Sequence, residues 1–87
     1  MKKRKEKSND IYEIIARNIK YYRKKKCITQ AELAEKTEYS HEFIRRIEAP
    51  NSKKNFSIDA VSNIADALDI NIEVLFEKRD VEIEEGK

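Results

Sequence analysis

Thr29-Gln30-Ala31-Glu32-Leu33-Ala34-Glu35-Lys36-Thr37-Glu38-Tyr39-Ser40-His41-Glu42-Phe43-Ile44-Arg45-Arg46-Ile47-Glu48-Ala49 is the stretch that decides the fold. It opens with Thr29-Gln30-Ala31-Glu32, the form of a capping box. The Thr29 hydroxyl can accept from the Glu32 amide while the Glu32 carboxylate returns to the Thr29 amide. A short helix carrying Leu33 and Ala34 follows. Its interruption at Thr37-Glu38-Tyr39 leaves Ser40 as the next N-cap, opening a second short helix with Ile44 and Ile47 three apart. Pro50 stops that helix, because the residue before a proline is pushed out of the α region.

Two short capped helices joined by so brief a turn cross at roughly 90–120°, so the second projects its outer face from the domain. At about 100° per residue, Phe43, Ile44 and Ile47 share one side and belong to a core. Glu42, Arg45, Arg46 and, at the edge, His41 occupy the other. A projecting helix fits the major groove of DNA, roughly 12 Å wide, where base edges are distinguishable. Arg45 or Arg46 can bind guanine O6 and N7, and Glu42 can accept from cytosine N4. Ser40 and His41, at the helix start, can reach a base edge or a phosphate. The plainer alternative is an ordinary solvated face on which Glu42 and Arg46 form an i,i+4 ion pair.

Outward from this stretch the pattern stays helical. Upstream, Ile11, Ile15, Ile19 and Tyr22 recur at spacings of four, four and three, and the helix ends near Lys24-Lys25-Lys26, which complements its negative C-terminal dipole. Downstream, Asn51-Ser52-Lys53-Lys54-Asn55 is a polar, basic loop. Ser57 caps a fourth helix with the stripe Ile58, Val61, Ile64, Ala65 and Leu68, and Asn71 caps a short fifth with Val74, Leu75 and Phe76. Residues 1–9 form a basic arm expected to be disordered in isolation, residues 10–77 the helical domain, and residues 78–87 an acidic tail in which Val81 and Ile83 alternate with charges. Five helices with short connections predict an all-α bundle.

Size and charge agree with this plan. Eighty-seven residues are too few for two independent cores. Residues 1–54 hold 16 Lys/Arg against 8 Asp/Glu and residues 55–87 hold 3 against 9, so one end is set to face a polyanion while the other stays away from it. The bland account of that asymmetry is a solubilising surface with a lopsided tail. The Lys2–Lys7 arm offers phosphate or minor-groove contacts, or serves only to solubilise. No apolar run approaches the ~20 residues needed to span a bilayer, so no membrane association is expected. One cysteine excludes an internal disulfide framework, no signal segment follows Met1-Lys2-Lys3-Arg4, and both point to a reducing cytoplasm.

Residues 12–76 resemble the Cro/phage-repressor type of helix-turn-helix proteins, also called the xenobiotic-response-element family. The resemblance rests on Thr29-Gln30-x-x-Leu33-Ala34, on Ser40-x-x-x-Ile44-x-x-Ile47-Glu48, on Ser57-Ile58-Asp59-x-Val61-x-x-Ile64-Ala65-x-Ala67-Leu68 and on Val74-Leu75-Phe76. It implies a five-helix lambda-repressor-like bundle and a transcriptional regulator, in the first instance a repressor, that binds a palindromic double-stranded operator as a homodimer. Gln30 then matches a phosphate-contacting glutamine. Ser40, His41, Glu42 and Arg46 match base-contacting positions, with Arg45 at their margin. Asn51, Ser52, Lys53 and Lys54 match a loop that grips phosphates. Arg23 and Glu48 match a structural ion pair between the first helix and the end of the third.

The chain departs from the family at three places. Glu38 and Cys27 stand where glycine is usual, and Ala49-Pro50 replaces a polar-glycine pair. A positive φ at Glu38 would cost about 1–2 kcal/mol. Cys27 reads as a partly buried small residue at a helix end. Tyr12, Tyr21, Tyr22 and Tyr39 have the helical spacing of packing residues rather than a single-strand stacking platform. His41 has no partner at metal-site spacing. No nucleophile–base pair and no glycine-rich phosphate loop is visible, so neither an enzyme nor a cofactor or metal site is expected, nor a sizeable effector domain for a small molecule. Two further readings stay open: an antitoxin or restriction-modification controller acting on its own operon, and a protein-interaction module that keeps the fold. The dimer contact is expected at Val74 and Phe76, with or without Val81–Ile83.

Overall fold

A computed structural model describes residues 10–49 and 55–78. Four α-helices, α1 (Ile11–Lys25), α2 (Gln30–Thr37), α3 (His41–Glu48) and α4 (Ile58–Leu68), are followed by a 3-10 helix at Ile72–Phe76. Each α-helix starts on a side-chain cap. Asp10 accepts from the Tyr12 amide, Ser40 from Phe43 and Ser57 from Ala60. At Thr29 the capping box closes in both directions, Glu32 N–H to Thr29 Oγ1 at 3.0 Å and Thr29 N–H to Glu32 Oε1 at 2.8 Å. One apolar core unites Ile15 and Ile19 of α1, Leu33 of α2, Ile44 and Ile47 of α3, Val61, Ile64 and Leu68 of α4, and Leu75. The arm at residues 1–9, the loop at 50–54 and the tail from residue 79 lie outside the described residues.

The helix ends share a solution the sequence conceals. α1, α2 and α4 all finish with a residue at positive φ, Cys27 at 59°, Glu38 at 66° and Asp69 at 60°, and none is glycine. Each end has the same pair of closing bonds. Tyr39 N–H reaches Ala34 O at 3.1 Å and Glu38 N–H reaches Glu35 O; Ile28 with Cys27, and Ile70 with Asp69, repeat the arrangement. This is the Schellman pattern, in which the residue after the left-handed one packs against the helix it has just left. Ile28, Tyr39 and Ile70 do so against the core. Their burial offsets the left-handed strain, on the order of 1 kcal/mol per residue. Glu38→Gly should therefore raise stability by up to ~1 kcal/mol, strain relief exceeding the entropic cost of glycine, seen as a higher thermal midpoint. An unchanged or lower midpoint would show that Glu38 is not strained.

Several expectations are corrected. The fifth helix is a single 3-10 segment rather than an α-helix, and Asn71 occupies its N-cap position without a side-chain cap bond. The reason lies in α1. Asn18, 1% exposed, donates its amide hydrogens to Leu75 O at 2.8 Å and Glu77 O at 2.7 Å, fixing the segment from outside. Ile58 is 62% exposed rather than part of the α4 stripe, because it is the first residue of the helix and lies about 90° from the centre of the buried arc running through Ala60, Val61, Ile64, Ala65 and Leu68. Ile11, at the start of α1, is likewise exposed. Cys27 is exposed rather than partly buried, since its left-handed backbone turns the side chain away from the core. Val74 and Phe76 are half-buried, and Phe76 spends part of its surface on the chain's own core. Phe56, passed over in the sequence, is buried and meets the Tyr12 ring edge-on at 5.1 Å, returning the chain from α3 to the start of α1.

Candidate nucleic-acid interface

Leu33, fully buried, packs α2 against Ile44 and Ile47 of α3, and the three residues Glu38, Tyr39 and Ser40 join the two helices. Thr37 shapes that turn. Its hydroxyl donates to Leu33 O at 2.8 Å and accepts from Tyr39 N–H at 3.3 Å. The Tyr39 ring then packs on Phe43, with centroids 4.9 Å apart, and its hydroxyl accepts from Asn63 Nδ2 at 2.7 Å. The turn is thereby tied to α4 as well as to α3.

With Ile44 and Ile47 buried, the far side of α3 is set by helix geometry. Ser40, His41, Glu42, Arg45 and Arg46 are all exposed on it. Ser40 Oγ accepts from Phe43 N–H at 3.0 Å, which leaves its hydroxyl hydrogen for an outside acceptor. Arg45 donates to Glu42 Oε1 at 2.7 Å, so the ion pair on this face is i,i+3 and not the i,i+4 pair of Glu42 with Arg46 that the sequence also allowed. His41 and Arg46 carry no hydrogen bond or ion pair among the described residues.

The base of the helix is held from behind. Arg23 of α1 meets Glu48 side by side, Nε to Oε2 at 2.7 Å and the second guanidinium nitrogen to Oε1 at 2.9 Å, with both side chains nearly buried. Its remaining nitrogen donates to Ile28 O at 2.8 Å. Gln30 Nε2 adds a third bond to the Glu48 carboxylate at 3.0 Å. One carboxylate at the end of α3 thus gathers α1, the turn after it and the first residue of α2. Gln30 commits one amide hydrogen there and keeps the other. The N–H groups of Gln30 and Ala31 precede the first intrahelical bond of α2, Leu33 N–H to Thr29 O, and so point out of the helix end. A negative group placed there meets both free amides and the positive end of the helix dipole.

Asn51, Ser52, Lys53 and Lys54 lie outside the described residues. Among the described residues, no group of three or more His, Cys, Asp or Glu side chains gathers as a metal site, and no helix is long and apolar enough to cross a membrane.

A projecting, side-chain-capped helix with a polar outer face, clamped to a preceding helix across a three-residue turn, defines a helix-turn-helix DNA-binding protein. The family model described as "Helix-turn-helix" matches residues 19–75, and the chain belongs to this Cro/C1-type family, a non-enzymatic family of transcriptional regulators. Among solved structures, a hypothetical transcription factor, NHTF from Neisseria, is similar in fold at 19% identity and a TM-score of 0.76, over 92% of this chain and 88% of that one. The master regulator for biofilm formation SinR, solved in complex with DNA, is 33% identical over 72% of this chain and 98% of that one, with a TM-score of 0.66. A search of curated proteins returns no match. The chain is a lambda-repressor-like DNA-binding regulator built from four α-helices and a 3-10 turn.

Proposed function

We propose that the protein is a repressor that binds a palindromic operator as a homodimer, with α3 in the major groove. The observation that carries this reading is the exposed polar face of α3, fixed in direction by the buried Arg23–Glu48 pair behind it and by the half-exposed Gln30 bonded to the same carboxylate. Ser40, His41, Glu42, Arg45 and Arg46 form its base-facing set. Gln30 and the loop Asn51, Ser52, Lys53 and Lys54 are its phosphate-facing set. One module of this size reaches few base pairs, and two copies on half-sites ~34–36 Å apart double the readout. Val74 and Phe76, both half-exposed, with or without Val81–Ile83, are the proposed contact between copies. On this reading the DNA-binding domain is residues 10–77, flanked by the basic arm and the acidic tail, and the protein acts in the cytoplasm.

Selection of bound duplexes from a random pool tests this reading. The expected product is an inverted repeat, bound with two copies per duplex in sedimentation. Equal weak binding to every duplex, or one copy per site at high concentration, would overturn it. Arg46→Ala should cost about 1–3 kcal/mol of discrimination at one base position. Lys53→Ala should weaken all sequences alike and lower the salt slope by about 1. Gel shifts over a salt series against selected and scrambled duplexes read both. If Lys53→Ala changed base preference instead, the loop would be a reader and not a phosphate grip.

A further inference from the structure

Five exposed side chains on one short helix need not act independently. On α3, Arg45 and Arg46 flank Glu42 at about 60° and 40° around the helix axis, so the carboxylate is within reach of either. The structure selects Arg45, whose terminal nitrogen lies 2.7 Å from Glu42 Oε1, while Arg46 stays without a partner among the described residues.

The consequences differ for the three side chains once α3 faces DNA. A lone carboxylate in the major groove sits between two strands that together carry one negative charge per ~1.7 Å of axis. It is repelled by both, and as an acceptor only it can recognise no more than an exocyclic amino group, on cytosine or adenine. Joined to Arg45 it enters as part of a neutral unit. The pair contributes little in free solution, with side chains 58% and 67% exposed. It strengthens when the groove excludes water from around it. Arginine has five N–H donors in a rigid fork; one points at Glu42, and the rest remain for the O6 and N7 acceptors of a guanine. Holding the fork at one edge also removes rotamer freedom that Arg45 would otherwise lose on binding.

We propose that Glu42 is a positioning residue for Arg45 rather than a reader of its own base, so that α3 reads DNA with one coupled unit, Glu42–Arg45, and one independent arginine, Arg46. This rests on the reading of α3 as the groove helix.

The test is duplex selection, followed by affinities for every single-base change in the selected operator, for the full chain and for Glu42→Gln, Arg45→Ala, Arg46→Ala and Glu42→Gln/Arg45→Ala. Thermal melts confirm that each exposed-site variant is folded. Glu42→Gln and Arg45→Ala are expected to lose preference at the same base position, roughly ten-fold in each. The double variant should lose no more than Arg45→Ala alone, and Arg46→Ala should relax a different position. Glu42→Asp, with its shorter reach, should fall between wild type and Glu42→Gln at the shared position. The proposal is overturned if Glu42→Gln relaxes a position of its own, or relaxes none while Arg45→Ala and Arg46→Ala do. If no variant moves any position, the reading of α3 as the groove helix fails, and the proposal falls with it.

Discussion

Arg23→Ala is expected to lower the free energy of unfolding by about 3–5 kcal/mol, the range found when one partner of a buried ion pair is removed. The size follows from what is left behind. The Glu48 side chain is 2% exposed. Without Arg23 its carboxylate loses two of the three side-chain bonds that hold it, and Gln30 alone remains. Ile28 O loses its guanidinium donor in the same step. A domain this small has a total stability near the low end of ~5–15 kcal/mol, so the variant should be largely unfolded at physiological temperature. Urea titration followed by circular dichroism measures it. The informative control is Arg23→Met/Glu48→Leu, in which both charges go and an apolar pair of similar bulk takes their place. That variant should recover most of the loss, because the stranded charge and not the missing contact is the larger cost. It should still bind selected DNA more weakly than wild type, since Gln30 then has no carboxylate to hold. Stability within ~1 kcal/mol of wild type for Arg23→Ala would mean that water reaches Glu48 freely.

What could be read from the sequence divides by the distance over which it acts. The caps at Thr29, Ser40 and Ser57 involve residues three apart, and a Ser or Thr hydroxyl just ahead of a helical apolar pattern is suited to accept the third amide of that helix. The inner face of α3 follows from the spacing of Ile44 and Ile47. Charge partners on a helix are less determined. Glu42 could reach Arg45 or Arg46 with nearly equal ease, and helix periodicity does not separate i,i+3 from i,i+4. In sequence the fifth helix is not told apart as α or 3-10, because Val74, Leu75 and Phe76 are good apolar material for either. What decides it is Asn18, whose two acceptors lie 57 and 59 residues away. Phe56 was invisible for a related reason, being a single aromatic in a polar stretch with no periodic neighbours and a partner, Tyr12, far upstream. The left-handed helix ends were half legible. Glu38 and Cys27 were marked by the missing glycine, but Asp69 gave no such sign, and the apolar residue after each was the better signal.

Asn18→Leu is the second change expected to have a large effect, and it tests whether the C-terminal segment is held by polar bonds or by packing. Leucine repeats the branching of asparagine and is the bulkier of the two, so a cavity is not the issue. The loss is of both amide donors at once. Leu75 O lies in buried surroundings and Glu77 O in partly buried ones. An unsatisfied buried acceptor costs about 1–3 kcal/mol, which puts the combined penalty at roughly 2–5 kcal/mol. The extra apolar surface of leucine offsets part of this, so the net loss should fall in the lower half of that range. Its distribution is the sharper prediction. Val74 N–H to Asn71 O and Glu77 N–H to Val74 O are the local bonds that a loosened 3-10 helix would release. Their amides should exchange with solvent much faster in the variant. Leu33 and Ile44, on the far side of the core, should keep protection close to the new global stability. A uniform rise in exchange across α1–α4 instead would show that the segment and the helical core unfold as one unit, with Asn18 contributing to global stability only. Retained protection at Val74 and Glu77 would show that Leu75, fully buried, pins the segment by packing alone.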